Sequence, residues 1–415
     1  MRIAFLVLVT ALAAGASSAA TQQVVPLGDR DIVLDWRPQE LFRVGENETR
    51  AEEQFARVAA TAFDRNDNLY VLDADNHRVV VFDRGGRFVR EFGRRGNGPG
   101  EFGVPMRLAV TADDHLVVHD AANRALIVFT LDGRHVRNLP LDSDVGLGGV
   151  RFFAAHPQGG VVFAMMPAVM MRQGTPDIDT AGLRLWWQKS LAEGAKPTLL
   201  RTVPEAEKRA PPEVRRDGNR VMVMQQAPPA FTPDVHFGLL GDAVVFNRTA
   251  DYALNTVDES GNVGRVLRRP FSPRRVTERD KETERQRRLE ALRLGPAGQV
   301  IVFGGGGAGA PPRSQDDVRR AQEANIRTLQ FAEMMPVVRG LSSDDRGRLW
   351  VWRYTDQPGQ PGVIDILAPD GRYLGTLRDQ PLPSSVSRSG LAAYVTVSDL
   401  ETPMVVVRRL PPEGG

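Results

Sequence analysis

The segment Ala62–Arg90, AFDRNDNLYVLDADNHRVVVFDRGGRFVR, recurs without a gap as Ala109–Arg137, AVTADDHLVVHDAANRALIVFTLDGRHVR, with 13 of 29 positions identical. A repeat of this size constrains the fold strongly, because one unit cannot bury its own apolar surface and must stack on copies of itself. Leu69, Val71, Asp73, Asn76, Val81, Phe82 and Gly86 match Leu116, Val118, Asp120, Asn123, Val128, Phe129 and Gly133. The apolar runs are short, β-branched and bounded by Asp, Asn and Gly, which is the pattern of strands and tight turns. Each unit predicts four strands, a to d. In the first unit they fall near Val58–Phe63, Leu69–Leu72, Val79–Phe82 and Phe88–Phe92.

Weaker copies follow. A third unit reads VRFFAAHP, GVVFAMMP, LRLWWQK and PTLLRTVP. A fourth reads DVHFGLLGD, AVVFNRT, ALNTVDE and VGRVLRRP, and a fifth VVRGLSSDD, RLWVWRYT, GVIDILAP and YLGTLRD. The last unit offers PLPSSVS, AAYVTVSD and MVVVRRL but no strand d, and ELFRVG (Glu40–Gly45) is the candidate to supply it. Six radially repeated units of four antiparallel strands predict an all-β, six-bladed β-propeller whose ring is closed by the N-terminal strand. The competing architecture, a β-sandwich with a second domain, does not call for regular four-strand repeats.

The motifs NLYVLDADNHRVVVFD, GRRGNGPGEF, RRPFSPRRVTERDK, GRLWVWR and PDGRYLGTL resemble the exported bacterial six-bladed propellers related to NHL-repeat proteins. The resemblance spans nearly all of the chain after its leader-like start. It implies an extracytoplasmic propeller and no particular activity. Some six-bladed propellers are lactonases with an axial calcium, which needs convergent carboxylates on inner-strand ends. No such set can be placed in this sequence.

The chain opens MRIAFLVLVTALAAGASSAA, with one arginine, an apolar run and then small residues. This predicts a cleavable signal peptide over residues 1–20, with Ser18 and Ala20 at the −3 and −1 positions. The expected domains are that leader, a single propeller over 21–412 with a helical, glycine-rich insertion at about 274–332, and a tail at 413–415. The apolar run is short for a membrane span. The absence of cysteine excludes disulfides, thiol catalysis, thiolate metal sites and a lipid-anchoring cysteine. Periplasmic or secreted localisation follows. The net charge is only +2, and all but four of the 53 basic residues are arginine. Without a basic excess, nucleic acid is not an expected partner.

Two glycine-rich stretches resemble nucleotide loops. FGRRGNGPGEF (Phe92–Phe102) lacks the lysine followed by Ser or Thr of a phosphate loop, and no helix pattern follows it. It fits the crossing from strand d of blade one to strand a of blade two, with Phe102 as an anchor between blades. QVIVFGGGGAG contains G-x-G-x-x-G at Gly304, Gly306 and Gly309, but no parallel βαβ context surrounds it.

Loop lengths are one-sided. The a–b and c–d turns are short, apart from SLAEGAK, whereas Pro167–Gly182, Pro204–Ala230, Pro270–Glu333 and Thr355–Pro361 are b–c or d–a excursions. In an up-and-down blade these four share one face, and long loops on a rigid scaffold commonly carry function. Two helices are expected in the largest. One starts at Thr277 as N-cap with Asp280 three residues on and carries a Glu284–Arg288 pair; the other starts at Ser314. They would form a cap over the channel or a mobile insertion. Met165, Met166, Met170, Met171, Met222, Met224, Met334 and Met335 lie in or beside the excursions, and Met106 at a crossing. Packing explains them most simply; an apolar pocket or a Cu(I) site are the alternatives.

No G-x-S-x-G or H-E-x-x-H motif occurs. His115 and His119 lie roughly 13 Å apart along an extended strand, too far for one metal. His77, His135 and His156 fall at turns, and His236 in an inner strand can reach the channel. Asp73, Asn76, Asp120 and Asn123 are expected to make repeated Asx-type bonds between strands b and c. The sequence singles out no catalytic, cofactor, metal or ligand-binding residue. The expected function is that of a binding or scaffolding module, monomeric, recognising a protein, peptide or glycan on the b–c/d–a face without cofactor. The alternative is a metal-dependent hydrolase or lyase of the lactonase type, with calcium on the axis.

Overall fold

The computed structural model describes residues 22–411 apart from 47–48, 143–144, 146–148, 167–168, 173–174, 179–181, 206–212, 218–219, 225–227, 294–314, 356–361 and 399–401. Six antiparallel sheets form the blades. Blade one is Val58–Phe63, Leu69–Asp73, Arg78–Phe82 and Phe88–Phe92, and blade two runs from Pro105–Val110 to His135–Pro140. Blades three, four and five begin at Val150–Ala155, His236–Leu240 and Val338–Ser343 and end at Thr198–Val203, Val263–Arg268 and Tyr373–Leu377. Blade six takes Ser385–Val386, Leu391–Val397 and Pro403–Arg409 from the C-terminal end, and Gln39–Val44 pairs antiparallel with the last of these as its outer strand. The inner strands neighbour one another in chain order, and that of blade six returns to that of blade one.

Six apolar clusters account for the ring, one between each pair of neighbouring blades. Val79 and Val81 face blade two with Leu116 and Val118, while Val80 and Phe82 face blade six with Val405 and Val407. Both faces of each blade are therefore buried. This is why strands b and c read as unbroken apolar runs instead of alternating with polar residues.

A segment ahead of the closing strand adds a feature that the repeat does not announce. Gln23–Pro26 lies parallel to Arg265–Arg268 on the outside of blade four. Further on, Leu34 N–H bonds Thr376 O at 2.9 Å and Thr376 N–H bonds Ile32 O at 2.7 Å, on the outer strand of blade five. Trp36 then packs edge-on against Trp350, 6.0 Å between ring centroids. Residues 23–38 thus form a strap that runs over the rims of blades four and five to the closing strand on blade six. Gly375 permits its passage: its φ is +155°, and a Cβ there would stand 2.6 Å from the Leu34 side chain.

The insertion between blades four and five holds two helices, α1 (Glu278–Arg293) and α2 (Gln315–Arg327), which touch one another. Its roots are joined by a short ladder of Arg274–Arg275 with Met334–Met335. The excursions at 167–182 and 204–230 each contain a β-hairpin, Val169–Arg172 with Thr175–Ile178 and Glu213–Asp217 with Arg220–Met224. The glycine-rich stretch around Gly304, the leader and the tail lie outside the described residues.

Candidate functional site

The d–a crossings deliver the chain to the channel mouth, and their anchoring explains the repeated acids. Asp73 accepts N–H bonds from Ala56 (3.0 Å) and Arg57 (3.1 Å), and Asp120 from Gly103 (2.7 Å) and Val104 (3.1 Å). Both carboxylates thus hold the incoming crossing as well as their own b–c corner, where Asp73 takes Asn76 and Arg78, and Asp120 takes the Asn123 N–H. The role is wider than the b–c turn expected from sequence, because the end of strand b faces the neighbouring crossing across the blade. The stretch Phe92–Phe102 is such a crossing. Phe102 is fully buried between blades one and two, and a Cβ at Gly93 (φ +91°) would sit 2.3 Å from its ring.

In blade five the corresponding corner is inverted. Arg353 ends strand b where blades one and two have aspartate. It bonds Asp365 at 3.1 Å and Asp31 of the strap at 2.5–2.6 Å. Arg269, at the start of the blade four–five crossing, bonds Asp365 at 2.9 Å and Asp31 at 3.1 Å. Two arginines and two aspartates balance in a nearly dry cluster. Burial alone would raise the Asp31 carboxyl, but Arg353 and Arg269 prevail and hold it below the ordinary value.

At the mouth, a β-bulge falls at the same place in four inner strands, at Ala59, Met106, Arg151 and Arg339. Bulges re-aim side chains at the rim of a ring. Around this rim Arg57 pairs with Asp75 (2.7 Å) and Arg151 with Asp234 (3.1 Å). Arg107 lies between Arg57 and Arg151 in ring order, and its one hydrogen bond among the described residues is to its neighbour Met106 O, at 2.8 Å. Burial, reinforced by the charges of Arg57 and Arg151, pulls its pKa down. His236 lies next along the arc. Burial lowers its pKa, Asp234 opposes that and Arg151 adds to it. On the far side of the ring Arg339 stacks over Trp352 at 3.7 Å and near Tyr354 at 5.2 Å, and burial lowers its pKa too.

Helix α1 stands beside this arginine. Its start is a reciprocal capping box, with Thr277 N–H on Asp280 (2.9 Å) and Asp280 N–H on the Thr277 hydroxyl (3.3 Å). Arg274 grips Asp280 with two bonds of 2.7 and 2.8 Å, tying α1 to the root ladder. Glu284 takes Arg288 at 2.8 Å, the pair read from sequence, and also Arg287 at 2.7 Å. The two long d–a excursions meet here. Ala230 N–H bonds Gln330 O and Ala332 N–H bonds Ala230 O, at 2.7 and 2.8 Å. Phe231 lies 5.6 Å from both Phe331 and Tyr354. Tyr354 also lines a small open cavity with Phe271, Arg274, Met335, Arg353 and Thr355, among others.

The methionines divide. Met165 is buried in the core between blades two and three, with Met106 packed partly against it. Met335 is buried and lines the cavity, while Met334 is 38% exposed. The side chains of Met170, Met171, Met222 and Met224 lie outside the described residues. The histidines do not converge: His119 is buried against Phe153, His156 bonds Asp242 O, and His77 bonds Phe102 O. Among the described residues no group of three or more His, Asp or Glu could hold a metal ion. Arg107 and Arg339 were not singled out by sequence, since they are far apart in the chain and sit in unlike local contexts. The hairpin at 213–224 could have been read from D-G-N within RRDGNRVMV.

Residues 48–166 match the family model described as DUF5128, 6-bladed beta-propeller. The chain is a six-bladed β-propeller. The matched segment covers blades one and two and the start of blade three, where the repeat is strongest. Protein brain tumor of Drosophila melanogaster is 36% identical over 59 residues, which is 14% of this chain and only 6% of that protein. Among solved structures, a Bacteroides fragilis protein described as exported aligns over 94% of this chain and 100% of its own, at 11% identity and a TM-score of 0.47. A duf4221 family member of Bacteroides vulgatus aligns over 91% and 98%, at 9% identity and a TM-score of 0.46. A gluconolactonase of Xanthomonas campestris aligns over 93% and 99%, at 13% identity and a TM-score of 0.40. None of these likenesses assigns an activity to the chain. Among the described residues no helix is long and apolar enough to cross a membrane.

Proposed function

We propose that this propeller is an extracytoplasmic binding module that recognises its partner on the face bearing the b–c and d–a excursions. The observation that carries the reading is the junction of the blade three–four and blade four–five excursions, which meet at Ala230 and Phe331. The Ala230–Phe331 bridge and the Phe231, Phe331 and Tyr354 cluster hold them together at the rim of the mouth. Such loops fixed on a rigid ring present a preorganised surface, which limits the entropy lost on binding. Export rests on the leader-like start MRIAFLVLVTALAAGASSAA.

The test is removal of the insertion with its roots kept. Val276 N–H already bonds Glu333 O at 2.9 Å, so a short glycine link can join them without parting the ladder. The shortened chain should retain the cooperative melting of the blades and lose the proteins cross-linked to the wild type in its native host. Unchanged cross-linking partners would reject the reading. So would turnover of lactone or ester substrates by the wild-type protein in the presence of calcium.

A further inference from the structure

Arg107 and Arg339 share three properties. Each lies at the bulged start of an inner strand, each is half-buried, and neither has a carboxylate partner among the described residues. The neighbouring arginines differ, since Arg57 and Arg151 are neutralised by Asp75 and Asp234. Blades two and five are third neighbours in a ring of six, so the strand starts that carry the two arginines stand on opposite sides of the ring. A desolvated guanidinium without a counter-charge costs stability, and a planar fork of N–H donors matches a carboxylate in two parallel bonds. Arg339 is already oriented by the Trp352 ring at 3.7 Å.

We propose that the channel mouth is a carboxylate-binding site in which Arg107 and Arg339 each clasp one acidic group of a single ligand. The inference rests on the proposed use of this face for recognition and gives its chemistry. Two separated carboxylates come from a free aliphatic dicarboxylate or from acidic side chains of an extended peptide. One carboxylate per guanidinium matches the single uncompensated charge at Arg107. At Arg339, Glu284 of α1 makes its ion pairs with Arg287 and Arg288 and not with Arg339.

The experiment is calorimetric titration of the full chain with a series of dicarboxylates from succinate to suberate, with hexaglutamate, and with inorganic phosphate. Binding should show an optimum chain length or a preference for hexaglutamate, which separates the two sources, and should weaken as salt rises. Arg107→Met and Arg339→Met should each weaken it at least tenfold, with Arg107→Lys intermediate. Arg87→Met, on a c–d turn of the opposite face, should leave it unchanged. A second readout needs no ligand: removing an uncompensated, half-buried charge should leave the melting temperature of Arg107→Met equal to or above that of the wild type. A clear drop in melting temperature would show a structural partner for Arg107 and overturn the proposal. Preference for phosphate over every carboxylate would do the same, as would equal affinity in the wild type and both methionine variants. If no carboxylate binds but removal of the insertion still abolishes cross-linking, the recognition face stands and the carboxylate chemistry falls.

Discussion

His119 is a core residue with a titratable ring. It is 2% exposed, packs near Phe153, and its Nδ1 has no hydrogen-bond partner among the described residues. Burial lowers its pKa from 6.5 to about 4, against the pull of Asp120 and with the help of Arg107. The folded state therefore resists a proton that the unfolded chain accepts below about 6.5. Stability is whole above that pH, declines as pH falls from about 6.5 to 4, and declines no further from this cause below 4. The interval corresponds to roughly 3 kcal/mol. His119→Phe should remove that share, so urea unfolding of wild type and variant should diverge with pH. Parallel curves at pH 7.5 and 4.5 would contradict the assignment. The position was legible as a strand residue unsuited to metal binding. Its burial was not, because that depends on strand a of blade three arriving from outside its own unit.

The elements that depart from the repeat are held by polar clusters that local patterns reach only in part. The α1 cap was visible as T-x-x-D, and Glu284–Arg288 as an i, i+4 pair, because both lie within a turn or two of one helix. The Asp31, Arg269, Arg353 and Asp365 cluster joins four separate segments and leaves no local trace. Its Asp31 side chain is 19% exposed, so water relieves part of the loss when it is removed. Asp31→Asn should still cost about 2–3 kcal/mol, below the usual cost of breaking a fully buried pair. Hydrogen exchange should show the strap amides Leu27 and Leu34 opening faster while the blade strands stay protected. An unchanged unfolding midpoint with equally protected strap amides would mean that the strap is held by its apolar contacts alone.

At the scale of the molecule, the ring has one seam. Pro403–Arg409 is a central strand only because Gln39–Val44 covers it; without that cover it is an exposed apolar edge. A chain beginning at Gln39 should fold cooperatively with a melting temperature lowered by at least about 5 °C, since it lacks only the strap. A chain beginning at Thr49 should lose cooperativity or aggregate. Equal melting of these two chains would show that the closing strand contributes nothing to the ring.

The blade strands, the blade number, the short-turn face and the closing strand follow from the repeat, because propeller strands are set by near-neighbour apolar runs and tight turns. Val79–Phe82 and Leu69–Leu72 could be placed from the sequence before any tertiary contact was known. The strap over blades four and five, the inverted ionic corner at Arg353, and the meeting of Ala230 with Phe331 depend on contacts between distant segments. Arg107 and Arg339 belong with these. Each is an ordinary arginine in its own strand, and only the circular order of the blades sets them on opposite sides of one ring, each without a carboxylate ion pair among the described residues.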